Sequence, residues 1–180
     1  MKNQNTKKLA YAALFLALCL VLPMLTGQIP QIGSMLLPMH IPVLLCGLVC
    51  GWQYGAAVGF VAPLLRSVLF GMPPMYPVAI AMAFELLTYG LVIGLVYRRM
   101  AQKGAVRVYA ALLTAMVAGR LVWGVAEVVL LGLGGKAFTA QAFLAGALLN
   151  AVPGIIVQLV LIPAVMAALQ KAGAVKEYAE

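Results

Sequence analysis

The chain has 180 residues, of which 65% are hydrophobic and only 9% are charged, and its net charge is +8. A soluble domain carries about 25% charged residues, so this composition excludes a soluble globule and predicts one transmembrane domain over residues 1–180. The basic residues stand between apolar segments, which favours a role in membrane orientation over binding to nucleic acid.

Apolar segments of membrane-helix character follow one another along the chain. We place them at about 9–26, 35–50, 53–70, 76–97, 106–132 and 141–169. The second is short for a bilayer about 30 Å thick, and Pro38 and Pro42 near its start should bend it or replace its first turn with extended chain. Continuous apolar runs lack the alternation of a β-barrel, so we predict an all-α integral membrane protein, a six-helix transmembrane bundle.

The basic residues support an even number of helices. They precede the first helix, join the fourth to the fifth, and follow the sixth: Lys2, Lys7, Lys8, Arg98, Arg99, Lys103, Arg107, Lys171 and Lys176. Six helices put all of these on one side, whereas the opposite loops contain only Lys136. Because basic loops remain in the cytoplasm, we predict a multi-pass protein of the bacterial plasma membrane with cytoplasmic N and C termini.

Apart from Arg107 at the start of the fifth helix, four charged side chains fall inside the predicted helices, namely Arg66, Glu85, Arg120 and Glu127. Each costs about 2.5–3.5 kcal/mol on insertion scales if it is left unpaired. At 1.5 Å per residue, the predicted topology places all four in the outer half of the bundle. Charges at one depth on several helices indicate a binding site.

Helical spacing adds neighbours to these charges. Thr88 and Tyr89 share a helix face with Glu85, Trp123 and Gly124 lie between Arg120 and Glu127, and Asn150, Gly154 and Gln158 repeat every four residues. The candidate substrate-binding residues are therefore Arg66, Glu85, Tyr89, Arg120, Trp123, Glu127 and Asn150. In the alternative interpretation, Glu85 pairs with Arg66 or Arg120 only to join helices, and Asn150 and Gln158 form interhelical hydrogen bonds. His40 is interpreted as a polar group at a helix end.

Two outer segments have the composition of a lid over an apolar ligand. Residues 26–34 are uncharged and rich in Gly, Gln and Pro, and Gly71–Pro77 is stiff and offers Met75 and Tyr76. Both segments are equally well interpreted as short connectors. In the first helix Ala10, Ala13 and Ala17 form a small-residue face that another helix can approach closely.

Catalytic motifs are missing from the sequence. It has one His and no Asp, no nucleophile elbow and no phosphate-binding glycine loop, so we expect neither an enzyme nor a cofactor. Cys46 and Cys50 have a metal-pair spacing, but we interpret them as packed thiols and predict no metal site. A one-sided polar pocket favours a binding subunit, and the alternative is a self-sufficient small secondary transporter or an oligomeric channel.

The order of these features resembles the substrate-binding S components of energy-coupling factor (ECF) vitamin transporters. The resemblance is carried by Lys7-Lys8-Leu9 before the Ala13-x-x-x-Ala17 helix, by His40-Ile41-Pro42, and by the glycine hairpin Gly51, Gly55 and Gly59. It implies high-affinity capture of a water-soluble vitamin or related micronutrient near the extracellular face, for uptake driven by a scaffold transmembrane subunit and two cytosolic ATPases.

The resemblance also implies roles for particular residues. The pocket would be formed by Glu85, Tyr89, Arg120, Trp123, Glu127 and Asn150, with the alanine face of the first helix docking on the scaffold subunit. The arginines would suit a carboxylate such as pantothenate or niacin, and the Trp and Tyr rings would suit a flat ring such as pyridoxine or riboflavin. We expect a vitamin with an apolar part and a polar or anionic group.

Overall fold

The computed structural model describes residues 2–25, 36–101, 104–135, 139–146 and 151–173. Their regular structure is helical, with no strand among them. The helices are α1 (Lys2–Leu25), α2 (His40–Val49), α3 (Trp52–Phe70), α4 (Ile80–Arg99), α5 (Gly104–Leu133), α6 (Ala140–Leu144) and α7 (Val152–Lys171), and a π-helical turn, Met75–Ala79, leads into α4. In the described part of the chain, five helices are long and apolar enough to cross a membrane, and α2 is a shorter apolar helix. The prediction of an all-α membrane protein is confirmed.

Two helices begin later than the sequence pattern indicated. α2 begins at His40, after a turn that contains Pro38, and Pro42 stands in its first turn, where a backbone N–H has no intrahelical partner. The region 141–169 is divided between α6 and α7, and α7 begins at Val152 with Pro153 in its first turn. Proline is favoured at this position because its fixed φ suits the start of a helix.

α4 lies at the centre of the bundle, between α3 and α5, while α1 packs on α2 and α3 and α7 packs on α5 and α2. Small residues allow the backbones of α2, α3 and α4 to approach closely. We call this contact the glycine seam; it comprises Gly47, Gly55, Gly59, Gly90 and Gly94. A Cβ on Gly94 would lie only 2.5 Å from the backbone nitrogen of Trp52, so the seam excludes any side chain there.

Three helix ends that carry basic residues meet at one end of the bundle, which we call the basic end. The Arg107 guanidinium lies over the Tyr97 ring, 4.5 Å from its centroid, and its Nε donates to the Tyr97 carbonyl. Gln170 Nε2 donates to Tyr97 Oη at 3.3 Å, which brings the end of α7 to the same place. The end of α4 with Arg98, the start of α5 and the end of α7 with Lys171 therefore lie together, as the charge pattern predicted.

Large apolar side chains remain exposed on the outer surface of α5. They recur along one face as Leu113, Val117, Leu121, Val125 and Val128. An apolar face of this size is stable against lipid and not against water, so α5 is one of the helices that form the lipid-facing wall.

Candidate functional site

Glu85 is the most deeply buried carboxylate among the described residues, with 1% of its surface exposed. α4 presents Glu85 and Tyr89 on one face because they are four residues apart. Arg120 of α5 approaches this face, and its Nη1 lies 3.0 Å from Glu85 Oε1. Gly119 makes room for the Tyr89 ring, since a Cβ on Gly119 would lie 2.8 Å from Tyr89 Cε1. Of the two ion pairs considered from the sequence, the structure forms Glu85–Arg120.

His40 enters the same site from the start of α2. Its Nε2 lies 3.5 Å from Glu85 Oε1, and its ring meets the Tyr89 ring edge-on with centroids 5.2 Å apart. The sequence identified His40 as a helix-end residue, which is correct, but it missed the contact with Glu85. The signal was the depth of His40, because a histidine near the outer end of the second helix stands at the level of Glu85 in the fourth.

Gln158 of α7 lies at the same level in the bundle. At the basic end, Gln170 of α7 contacts Tyr97 of α4. Gln158 precedes Gln170 by twelve residues on α7, and Glu85 precedes Tyr97 by twelve residues on α4. Both therefore stand about 18 Å above it at 1.5 Å per residue. His40, Glu85, Tyr89 and Arg120 contact one another or share one helix face, and we call them, together with Gln158 at the same level of the bundle, the Glu85 cluster.

Several buried polar atoms of this cluster have no hydrogen-bond partner in the described part of the chain. They are His40 Nδ1 and Nε2, Glu85 Oε1, Arg120 Nη2 and Gln158 Nε2. Glu85 and Arg120 are thus at ion-pair distance without hydrogen-bond alignment. Each buried unsatisfied group costs about 1–3 kcal/mol, and proteins normally avoid them. Donors and an acceptor from four helices are complementary to a polar small molecule.

An aromatic wall continues from the cluster along α5 to α6. The Arg120 guanidinium lies over the Trp123 ring, 5.9 Å from its centroid, and Trp123 stacks on Phe143 with centroids 6.1 Å apart. Glycines allow this contact, since a Cβ on Gly146 would lie 2.7 Å from Trp123 Cη2. The short helix α6 is thereby held against α5, beside the cluster.

Glu127 lies one helical turn beyond Trp123 on the same face of α5, as its spacing predicted. Its side chain is buried, with 6% of its surface exposed. Among the described residues, Glu127 has neither a hydrogen bond nor an ion pair.

Arg66 is held elsewhere in the bundle. Its Nη1 donates to the Leu20 carbonyl of α1 at 2.5 Å, in the turn before Pro23, and its guanidinium lies over the Phe70 ring at 5.3 Å. Arg66 is on α3, on the opposite side of α4 from Arg120. The structure therefore does not bring Arg66 to the Glu85 cluster.

The turn that precedes α4 is attached to α5. Met75 and Tyr76 are 40% and 49% exposed, and Tyr76 Oη donates to the Leu130 carbonyl, three residues beyond Glu127. The Tyr76 end of the Gly71–Pro77 segment thus lies against α5, about one turn beyond Glu127 and farther from the basic end. The other predicted lid segment, residues 26–34, and the predicted site residue Asn150 lie outside the described residues.

The small-residue face of α1 points away from the rest of the chain. Ala10, Ala13 and Ala17 are exposed, whereas Ala12 and Phe15 are buried against the bundle. The alanine face is therefore not used to pack another described helix of this chain.

A family model described as "ECF transporter, substrate-specific component" matches residues 7–167. No curated protein and no solved structure matches the chain. The matched region contains the alanine face of α1, the glycine seam, the Glu85 cluster and Glu127.

Proposed function

Because the chain belongs to the substrate-specific components of ECF transporters, we propose that it captures a water-soluble vitamin or related micronutrient in the Glu85 cluster. Proteins of this family are substrate-binding transport subunits, not enzymes, and they work in a membrane with a scaffold and ATPase subunits. In our proposal the partners are one transmembrane scaffold subunit and two cytosolic ATPases. The ligand would bind first and be delivered when those partners act.

The observation that carries this proposal is the set of unpartnered atoms around Glu85. Four helices carry buried donors and an acceptor without partners in the described chain, and those of α2, α4 and α5 meet at Glu85, beside the Trp123 and Phe143 rings. Ligand pockets combine such apolar walls with a few convergent polar groups. A cluster that served only to join helices would satisfy these atoms within the chain.

We further propose that the pocket opens to the outside of the cell. The basic end would face the cytoplasm with both termini, following the preference of basic segments for that side. Glu85 precedes Arg99 by fourteen residues on α4, which places it about 21 Å from the basic end. The Glu85 cluster would then lie in the outer half of the membrane, with Met75 and Tyr76 in its lid.

Capture is tested by identifying the small molecule that the purified protein carries. Protein produced in rich medium is denatured, and the released molecules are identified by mass spectrometry. We expect the wild type to release a vitamin-like molecule and Glu85→Leu/Arg120→Leu to release none. Arg66→Met is the control and should retain the molecule, because Arg66 lies across α4 from the cluster. Equal amounts from wild type and double variant would contradict the assignment of the pocket.

Docking is proposed to use the exposed alanine face of α1. Ala13→Leu/Ala17→Leu adds bulk to this face, so it should abolish uptake in cells that contain the partner subunits while vitamin binding by the purified protein persists. The matched control is Ala164→Leu/Ala168→Leu, which adds the same bulk at the same spacing on an exposed face of α7. Uptake that survives the α1 pair, or is lost equally with both pairs, would contradict the docking role.

A further inference from the structure

Among the described residues, the charges around the proposed pocket do not balance, and this imbalance bears on the ligand. Glu85 has its counter-charge in Arg120, at 3.0 Å. Glu127 is buried one turn beyond Trp123 and has no ion pair among the described residues. His40 also faces Glu85 and not Glu127. Among the described residues, the pocket therefore contains one carboxylate whose charge no contacting side chain offsets.

The other buried arginine of this half of the bundle does not offset that charge. Arg66 donates to the Leu20 carbonyl and lies over Phe70, on the far side of α4 from Arg120. From the sequence, Arg66 and Arg120 were expected to suit an anionic vitamin. In the structure, Arg66 is bound to the Leu20 carbonyl and Arg120 is paired with Glu85. Arg120 retains an unpartnered Nη2, which suits a neutral acceptor of the ligand.

The surroundings of Glu127 suit a flat, positively charged group. Trp123 precedes Glu127 by one turn, and its ring is fixed by stacking on Phe143 at 26° between planes. A cation over an aromatic face is stabilised by the ring quadrupole, most strongly when both are removed from water. Arg120 and Phe143 already contact the Trp123 ring, which is only partly buried. The Glu127 carboxylate therefore offers such a group an ion pair, and the accessible part of the indole offers it a ring contact.

We infer that the ligand is a flat heteroaromatic molecule with one positive charge, its cationic nitrogen beside Glu127 and its ring along Trp123. This inference rests on the proposed function, since it assigns the substrate class of the same pocket. The neutral donors and acceptors of the ring would then meet Arg120 Nη2, His40 and Gln158, which lack partners among the described residues.

The test compares vitamins of different charge on the wild-type protein in detergent. Dissociation constants are measured for thiamine and pyridoxamine as cations, pyridoxine and riboflavin as neutral rings, pantothenate and nicotinate as anions, and any molecule released from the purified protein. We expect a cation to bind most tightly. Pyridoxamine and pyridoxine are a matched pair, because an ammonium group in one replaces a hydroxyl in the other.

A neutral or anionic vitamin as the tightest ligand would overturn the inference and leave the proposed function standing. Binding of none of these molecules would overturn the proposed function and the inference with it. The two failures are thus distinguished by the same measurement.

Variants of Glu127 show where the charge acts. Glu127→Gln keeps the shape of the side chain, and it should weaken binding of the preferred cation about tenfold or more. Glu127→Asp keeps the charge and should recover most of that loss, whereas Arg99→Gln at the basic end should leave binding unchanged. Equal affinity of wild type and Glu127→Gln for the cation would overturn the assignment of its nitrogen to Glu127.

Discussion

The glycine seam and the Glu85 cluster are both buried, and α4 takes part in both, but they are built in opposite ways. In the seam, Gly90 and Gly94 bring backbones into contact, with no side chain between them. In the cluster, Glu85 and Tyr89 meet large polar side chains that leave donors and an acceptor unpartnered within the described chain. From Glu85 to Gly90 the helix turns by about 140°, so α4 has one face for assembly and another for the ligand.

This difference separates stability from function on a single helix. The seam lowers the free energy of the folded state through close packing, which is the main attraction between helices in lipid. The cluster holds charges and unsatisfied polar atoms at the cost of stability, which is the pattern expected of a site shaped for a ligand. Variants in the glycine seam should therefore change mainly stability, whereas variants in the Glu85 cluster should also change ligand affinity.

The largest effect is expected when one partner of the Glu85–Arg120 ion pair is removed and the other remains. Arg120→Leu leaves the Glu85 carboxylate buried without its cation, which costs about 3–5 kcal/mol of unfolding free energy. The melting temperature of the purified protein should fall by about 6–20 °C. Adding Glu85→Leu removes the uncompensated charge, so the double variant should be as stable as the wild type or more so.

Thermal unfolding of the three proteins in one detergent measures this directly. The double variant should regain stability and still bind no vitamin, because the polar contacts are lost with the pair. A double variant less stable than Arg120→Leu would show that the pair holds the helices together and is structural.

Added bulk in the glycine seam should come next. A Cβ on Gly90 would overlap the Gly55 backbone and lie 2.8 Å from the Ala56 nitrogen. Overpacking of this kind costs about 1–3 kcal/mol, so Gly90→Ala should lower the melting temperature by about 2–12 °C. Gly132→Ala is the matched control, since nothing lies within 4 Å of a Cβ there.

Ligand affinity, measured on the same purified variants, distinguishes an effect of the glycine seam from an effect of the Glu85 cluster. Gly90→Ala protein that remains folded should bind its vitamin with nearly wild-type affinity, because the seam is on the other face of α4. If Gly90→Ala is as stable as Gly132→Ala, the inference that α3 and α4 pack too closely at Gly90 to admit a Cβ is wrong.

Removing Arg66 should have an effect of about the same size as Gly90→Ala, and it tests an intramembrane charge that lies outside the Glu85 cluster. Arg66→Met removes the charged hydrogen bond to the Leu20 carbonyl, worth about 1.5–3 kcal/mol, and with it the guanidinium over the Phe70 ring. Stability in detergent should decrease and vitamin affinity should not change. A loss of affinity as large as that of Arg120→Leu would return Arg66 to the binding site predicted from the sequence.

Much of the fold could be predicted from composition and the positions of the charges. Apolar length indicates the membrane helices, and the basic residues predict that the ends of α4 and α7 lie together, as Tyr97, Arg107 and Gln170 show. Such properties depend on local sequence and on the bilayer alone. The start of α7 was predicted too early, at 141, although Pro153 favours the first turn of a helix and marks the later start.

The partners of individual side chains were less accessible from the sequence. The Glu85–Arg120 pair was one of two alternatives, and only the packing of α4 between α3 and α5 distinguishes them. The contact of His40 with Glu85 joins residues 45 positions apart, and helical spacing says nothing about such distant neighbours. Arg66 has the right depth for the site but faces α1, because depth does not determine which neighbour a helix face meets.

The smallest effect is expected at the lid, which belongs to neither of the two regions. Tyr76 Oη donates to the Leu130 carbonyl of α5, so Tyr76→Phe removes one exposed hydrogen bond worth about 0.5–1.5 kcal/mol. A lid held less firmly should release the ligand faster, by about two- to tenfold, with little change in melting temperature. Stopped-flow or filter-binding dissociation rates measure this, and Tyr109→Phe on the exposed side of α5 near the basic end is the control. An unchanged dissociation rate in Tyr76→Phe would mean that the turn before α4 is a connector, because ligand release would then not depend on its attachment to α5.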